Sequence, residues 1–332
     1  MNTLARAAAL ADACQHFPFL GPSSTDDLLA MFDSDFGGAD FSDAGTTVLH
    51  ILAGNTPAAA LQTLVRGLLV GAHNLAKVPS AGLPEVDAFI AHLPRELATR
   101  VETSRSLRDD WLARADVIVV FGDDATIAHF RSRVRSDQRL VEHGHKVSFG
   151  VIFDDPRGES VEAAARDVAA FEQLGCLSPH VLYVGGGGHG YATRLADALE
   201  RIPRAPLPLS AASAIRALRE DFAFRTANGE AFAVWSGANA TVLYDETPGW
   251  PRTPLHRTIF VKPLPASWEA ELHEVRAHLS CCGVFPENSP GIEALTPLGI
   301  GRICPIGLMQ RPPWTWHQDG VAPLRSLMKN PG

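Results

Sequence analysis

One cysteine is placed where a thiol could act as a nucleophile. Cys176 lies in Phe171-Glu172-Gln173-Leu174-Gly175-Cys176-Leu177-Ser178-Pro179-His180, after a helical pattern that ends at Gly175 and before an extended run. A thiol on a tight turn between regular elements is held rigidly yet stays reachable, and its thiolate can attack a carbonyl. The same residue type also serves as a small buried hydrophobe, so these residues alone leave both readings open. The other cysteines, Cys14, Cys281, Cys282 and Cys304, form no C-x-x-C pair with it or with each other. An odd count of five without such pairs argues for reduced thiols in a cytoplasmic protein, with neither a disulfide framework nor a zinc site. Cys281 and Cys282 are expected at a helix-to-strand junction, in packing roles. The 13 histidines show no HExxH or similar spacing, so no metal is expected.

A second pattern is Gly185-Gly186-Gly187-Gly188-His189-Gly190, a literal GxGxxG after a strand and before a helix. A dinucleotide-binding unit then needs a second strand ending in an acidic residue. Three prolines occupy residues 203–208 where that strand should begin, so the glycine run is expected to be a loop near the nucleophile.

These residues need elements to carry them. Buried strands are expected at residues 47–52, 74–78, 116–121, 147–153 and 180–184, from apolar runs bounded by turn residues. A helix opens at Pro57, with Leu61, Leu64, Val65 and Leu68 on one face. Another follows Gly122-Asp123-Asp124 and carries Arg131, Arg133 and Arg135, and a third covers 161–174. Strands alternating with helices predict an α/β fold with a doubly wound parallel sheet. The division expected is a helical and loop segment over 1–45, one domain over 46–154 and a second over 155–332. With 46% apolar residues the chain can bury a substantial core. The net charge of −8 and the lack of a Lys/Arg run speak against nucleic acid as a partner. No apolar stretch has the length of a membrane span, and the Ala-rich start, interrupted by Asp12, reads as a helix rather than a leader peptide.

Several of these segments resemble the acyl-CoA reductases of the aldehyde dehydrogenase superfamily, most closely the long-chain acyl-CoA reductases of the bacterial luciferase pathway. They are the Gly-Cys turn at 175–176 with Ser178-Pro179-His180, the stretch from His50 to Pro57, the stretch from Arg66 to Lys77, and Arg302-Ile303-Cys304-Pro305 continuing to Met309-Gln310 and to Trp316-His317-Gln318-Asp319-Gly320. Similar segments run in the same order from about residue 46 to 325.

The resemblance implies an aldehyde-dehydrogenase-like fold, with a Rossmann-like dinucleotide-binding domain over 46–154, shorter than in full-length members, and a catalytic domain after it. It implies Cys176 as the nucleophile and Asn55, two residues before Pro57, as an oxyanion donor; otherwise Asn55 only permits the turn. Glu142, in Glu142-His143-Gly144-His145-Lys146 and 34 residues before Cys176, resembles the superfamily's general base. A reductase has no use for hydrolysis, so Glu142 either assists the thiol or is a solvated charge. Lys77 and Ser80 resemble the ribose-binding segment, and the lack of an acid at Ser80 admits NADPH, with NADH as the alternative. Gly122, Asp123 and Thr126 fall on the turn that approaches the pyrophosphate, although two aspartates there would repel it unless they cap the helix. The implied partners are an acyl-CoA substrate, a homo-oligomer and an acyl-protein synthetase. Oxidative aldehyde dehydrogenation and a non-catalytic assembly role are the alternatives.

Overall fold

The computed structural model describes residues 1–37 and 45–329. The Gly- and Asp-rich stretch at 33–45 divides there: its start closes a helix, and residues 38–44 lie outside the described residues. The chain forms two units, one of residues 1–145 with the segment from Arg311 onward, the other of Lys146–Gln310. The boundary therefore falls before residue 147 rather than after 154, because the strand starting there pairs within the second sheet. Neither the N-terminal segment nor the C-terminal tail stands where the sequence reading put it, since both belong to the first unit.

The first unit runs α1 (Thr3–Cys14), α2 (Thr25–Phe36), β1 (Thr47–Ile51), α3 (Pro57–Leu69), β2 (His73–Lys77), α4 (Pro84–Ala91), α5 (Arg95–Ala98), β3 (Val101–Ser104), α6 (Trp111–Arg114), β4 (Val117–Phe121), α7 (Asp124–Arg131) and β5 (Arg139–His143). Its sheet has the order β3-β2-β1-β4-β5 with every pair parallel. Val48, Val117 and Val119 pack on one face with Leu61, Leu64, Val65 and Leu68 of α3. Leu49, Ile51, Ile118 and Val120 pack on the other with Trp111, Ile127 and Phe130. Successive residues thus go to opposite, equally covered faces, which is why these strands read as unbroken apolar runs. Chain order reverses between β1 and β4, the switch point of a doubly wound sheet.

Inside this unit His50 is fully buried between Thr63 and Asn74, at 3.0 and 2.9 Å. Asn74 donates its amide to the Ala72 carbonyl, so its oxygen must accept from His50 Nε2, and Nδ1 accepts from the Thr63 hydroxyl. Burial holds the imidazole down to about 4, against a smaller opposing effect of the Asn74 bond.

The second unit runs β6 (Val147–Ile152), α8 (Val161–Ala169), β7 (Pro179–Val184), α9 (Gly188–Glu200), α10 (Leu209–Ala227), β8 (Phe232–Ser236), β9 (Thr241–Asp245), β10 (Thr258–Pro263), α11 (Trp268–Glu271), β11 (Leu279–Phe285) and β12 (Arg302–Pro305). Its sheet has the order β12-β11-β6-β7-β10-β9-β8 and is parallel except for β8 against β9. The five strands expected from the sequence all lie within one residue of their predicted bounds. Three other expectations need correction. The helix over 161–174 stops at Ala169, and a left-handed turn follows. Cys281 and Cys282 sit inside β11, not at a junction. Helix α7 ends at Arg131, so Arg133 and Arg135 lie beyond it.

Candidate active site

Half-buried Cys176 follows a strained segment. Phe171, Glu172 and Gln173 all adopt left-handed backbone angles, with φ of 50°, 54° and 64°. Leu255, His256 and Arg257 do the same, at 61°, 52° and 58°. Residues without the freedom of glycine pay about 1–3 kcal/mol each for such angles, and keep them only where the surroundings impose them. Here each segment holds the other. The fully buried Gln173 donates to the carbonyls of Pro179 and Thr258 at 2.8 and 3.1 Å and accepts from the Thr258 N–H at 2.8 Å. Arg257 pairs with Glu172 at 2.6 Å.

Beyond this clasp the chain turns through residues 175–178, closed by the Ser178 N–H on the Gly175 carbonyl at 3.0 Å. Gln310 donates to the Ser178 hydroxyl at 3.0 Å. The Ser148 hydroxyl donates to the Cys176 carbonyl at 2.7 Å. The thiol-bearing turn is therefore fixed from β6, from β10 and from the segment after β12. Gln173, Arg257, Thr258 and Ser148 were not singled out from the sequence. Apart from the Gln173 bond to Pro179, six residues on, their bonds to this loop span 28 to 85 residues, and no local pattern marks them.

Asn55, Lys77, Ser80, Gly122, Asp123 and Thr126 all follow the C-terminal ends of β1, β2 or β4, apart from Lys77, which ends β2. The structure brings the first three together: β1 and β2 are neighbours, and a Cβ at Gly54 would lie 3.1 Å from the Pro79 ring. The Asn55 loop thus rests on the Lys77–Ser80 loop, with Asn55 and Ser80 exposed and Lys77 half-buried. This is the edge of a doubly wound sheet at which dinucleotides bind.

The turn after β4 is built differently. Asp123 caps α7, its carboxylate accepting the Thr126 N–H at 2.8 Å. Hydrogen bonds from the Thr126 side chain and then from its N–H hold the Asp123 carboxyl below its usual range. Gly122 is required by Thr126, whose Cγ2 would lie 2.7 Å from a Cβ there. Gly122, Asp123 and Thr126 therefore form a closed capping turn whose anion is Asp123 itself. Capping is the arrangement in which the aspartate at this turn is engaged by the helix end, and it takes up the Thr126 N–H.

Glu142 lies on β5, and both its carboxylate oxygens are engaged by Arg131, at 2.9 and 2.7 Å. Only the first half of the glycine run is a loop: Gly186 and Gly187 take φ of 53° and 95°, whereas Gly188, His189 and Gly190 open α9, with Gly188 against Tyr244. The chain goes from α9 through the prolines into α10, and β7 pairs with β6 and β10, so no mononucleotide unit follows directly.

Asp319 bonds to His143 at 2.8 Å, and His317 lies 3.4 Å from Asp35, so both tie the C-terminal segment within the first unit. The sulfurs of Cys281 and Cys304 lie 3.7 Å apart on adjacent strands. Their shared hydrogen bond, with burial, pushes the Cys281 thiol up, while the same bond holds Cys304 down. Among the described residues no group of three or more His, Cys, Asp and Glu could hold a metal ion, and no helix is long and apolar enough to cross a membrane.

A family model for the acyl-CoA reductases, LuxC, matches residues 41–330. The chain belongs to that family. The match takes in the Cys176 turn, both sheets and the C-terminal segment, and extends slightly past both ends of the resemblance traced above. No curated protein matches the chain. Among solved structures, aldehyde dehydrogenase 21 from Physcomitrella patens is similar with a TM-score of 0.64 at 12% identity, covering 92% of this chain and 78% of that one. An NADP-dependent glyceraldehyde-3-phosphate dehydrogenase from Bacillus halodurans gives 0.60 at 15%, covering 90% and 70%. An NAD-dependent benzaldehyde dehydrogenase from Corynebacterium glutamicum gives 0.60 at 13%, covering 95% and 83%. At such identities the likeness shows the fold, which is that of the aldehyde dehydrogenases. Family and fold together make this LuxC-family chain an oxidoreductase acting on aldehyde or oxo groups.

Proposed function

We propose that the protein reduces an acyl-CoA thioester to the aldehyde at the expense of NADPH, through an acyl group carried on Cys176. The observation that carries this reading is the half-buried thiol on a turn anchored from three elements, inside the segment matched by the acyl-CoA reductase family. The overall change is acyl-CoA + NADPH + H⁺ → aldehyde + CoA + NADP⁺.

In the first half, the Cys176 thiolate attacks the thioester carbonyl, the C–S bond to CoA breaks, and CoA leaves as its thiol after gaining a proton. Asn55 and the Cys176 N–H stabilise the oxyanion, and losing one such donor costs about 10²–10³ in kcat. In the second half, the acyl carbon of the thioester left on Cys176 takes up a hydride and its oxygen a proton, and the resulting thiohemiacetal collapses, expelling the Cys176 thiolate and releasing the aldehyde. A bound nicotinamide supplies the hydride for that half.

The residues fit such a cofactor in part. Lys77 and Ser80 stand at the dinucleotide-binding edge without an acid to repel a 2′-phosphate. At the turn that the family resemblance brings to the pyrophosphate, Asp123 caps α7 and takes up the Thr126 N–H. Both NADP- and NAD-dependent enzymes occur among the structurally similar proteins. The double engagement of Glu142 by Arg131 favours reduction over hydrolysis of the acyl-enzyme. Two assays test the proposal: an acyl-CoA with NADPH, and an aldehyde with NADP⁺ but no CoA. Aldehyde formation in the first is expected, and turnover in the second alone would overturn it.

A further inference from the structure

We infer that Ser148 is a positioning residue for the nucleophile, orienting the Cys176 peptide for attack on the thioester. This rests on Cys176 being the acylated residue. Ser148 is on β6, fully buried, and its hydroxyl has two neighbours: the Cys176 carbonyl at 2.7 Å and the Cys281 N–H at 3.0 Å. A backbone N–H can only donate, so the hydroxyl accepts from Cys281 and its single proton is committed to the Cys176 carbonyl. The direction of both bonds is thereby fixed.

Sheet register shows why a hydroxyl is needed at this position. Between its pairings with Val147 and Phe149, β11 advances from Leu279 to Cys282, one residue more than β6. On the other side, β7 advances from Pro179 to Val181 while β6 moves only from Ser148 to Phe149. Both ladders thus carry an extra residue at the level of Ser148, and the hydroxyl bonds there to a backbone group on one side and to the nucleophile's carbonyl on the other. β6 therefore sets the plane of the peptide that follows the Cys176 α-carbon. With the turn closed between residues 175 and 178, that bond limits rotation of the thiol's backbone relative to the sheet.

A small, undirected reagent needs only an accessible thiolate, whereas a thioester must meet the sulfur in a defined orientation. Ser148→Ala is therefore expected to slow acylation of Cys176 by hexanoyl-CoA about 10–100-fold, read by mass spectrometry without reductant. Its alkylation by iodoacetamide should be unchanged, and Ser148→Thr, which keeps the hydroxyl, should restore acylation. If the alanine variant does not fold, Ser148→Cys keeps the volume with a much weaker donor and should show the same selective loss. Acylation at the wild-type rate in either folded variant would overturn the inference, as would a parallel fall in acylation and alkylation. If wild-type Cys176 itself takes up no acyl group, it is the proposed function that fails.

Discussion

The turn at 121–126 and the loop at 170–178 both join regular elements, and both carry residues singled out by spacing, yet they are built by opposite means. The first is held locally: Asp123 satisfies the Thr126 N–H three residues on, and Gly122 makes room for Thr126. Nothing there is strained, and the helix end has its own negative charge. The second is held from far away, with three consecutive left-handed residues fixed by Thr258, Arg257 and the β7 backbone, and with its turn pinned by Ser148 and Gln310. A strained loop held by remote partners is what an enzyme needs to present one side chain in one geometry.

The largest break in this contrast should come from Cys176→Ala, which removes the group the loop presents. Turnover of acyl-CoA with NADPH should fall about 10⁴-fold or more, with the thermal midpoint little changed. Gln173→Ala should act on both stability and rate. It removes the partner of the Thr258 N–H and one bond each to the Pro179 and Thr258 carbonyls, the latter keeping the Thr253 hydroxyl, and should cost about 2 kcal/mol in denaturant unfolding, with activity lost in the protein that stays folded. Asp123→Ala, at the locally built turn, should lower the thermal midpoint only slightly and leave the KM for NADPH unchanged. A large rise in that KM would assign the turn to the cofactor site. Glu142→Gln should be smallest, about 0.5 kcal/mol for a partly exposed ion pair, with the reductase rate within about twofold of wild type.

Legibility followed the same division. The strands were readable because both faces of the first sheet are buried, so Val48, Leu49, Val117 and Ile118 form apolar runs that only a covered strand explains. The turn that carries Cys176, and the strand after it, were readable from the neighbouring residues, and the family from a resemblance that its model extends. What was not readable depends on pairing across the chain. The left-handed path at 171–173 exists because Thr258 and Arg257, 85 residues away, hold it, so a helical pattern was carried on to Leu174. The domain boundary was misplaced because β6 looks like any other strand until its partners, β7 and β11, are known. The capping role of Asp123 was present in the sequence as a possibility, and the hydrogen bond to Thr126 decided it.

His50 sharpens the contrast from the other side, as a buried titratable group serving structure alone. Its folded-state value is held down to about 4 from the usual 6.5. Its contribution to stability is therefore complete above pH 6.5 and lost as pH falls toward 4, by about 3 kcal/mol for this group. Histidine-selective NMR should find one imidazole that stays neutral until about pH 4, and that signal should vanish in His50→Asn.

The most direct measurement of the central claim is mass spectrometry of the protein mixed with an acyl-CoA and no reductant. A stable acyl adduct should appear on the peptide containing Cys176, and NADPH should discharge it with release of one equivalent of aldehyde. An adduct on any other residue, or none while NADPH-dependent aldehyde formation proceeds, would contradict the role given to Cys176.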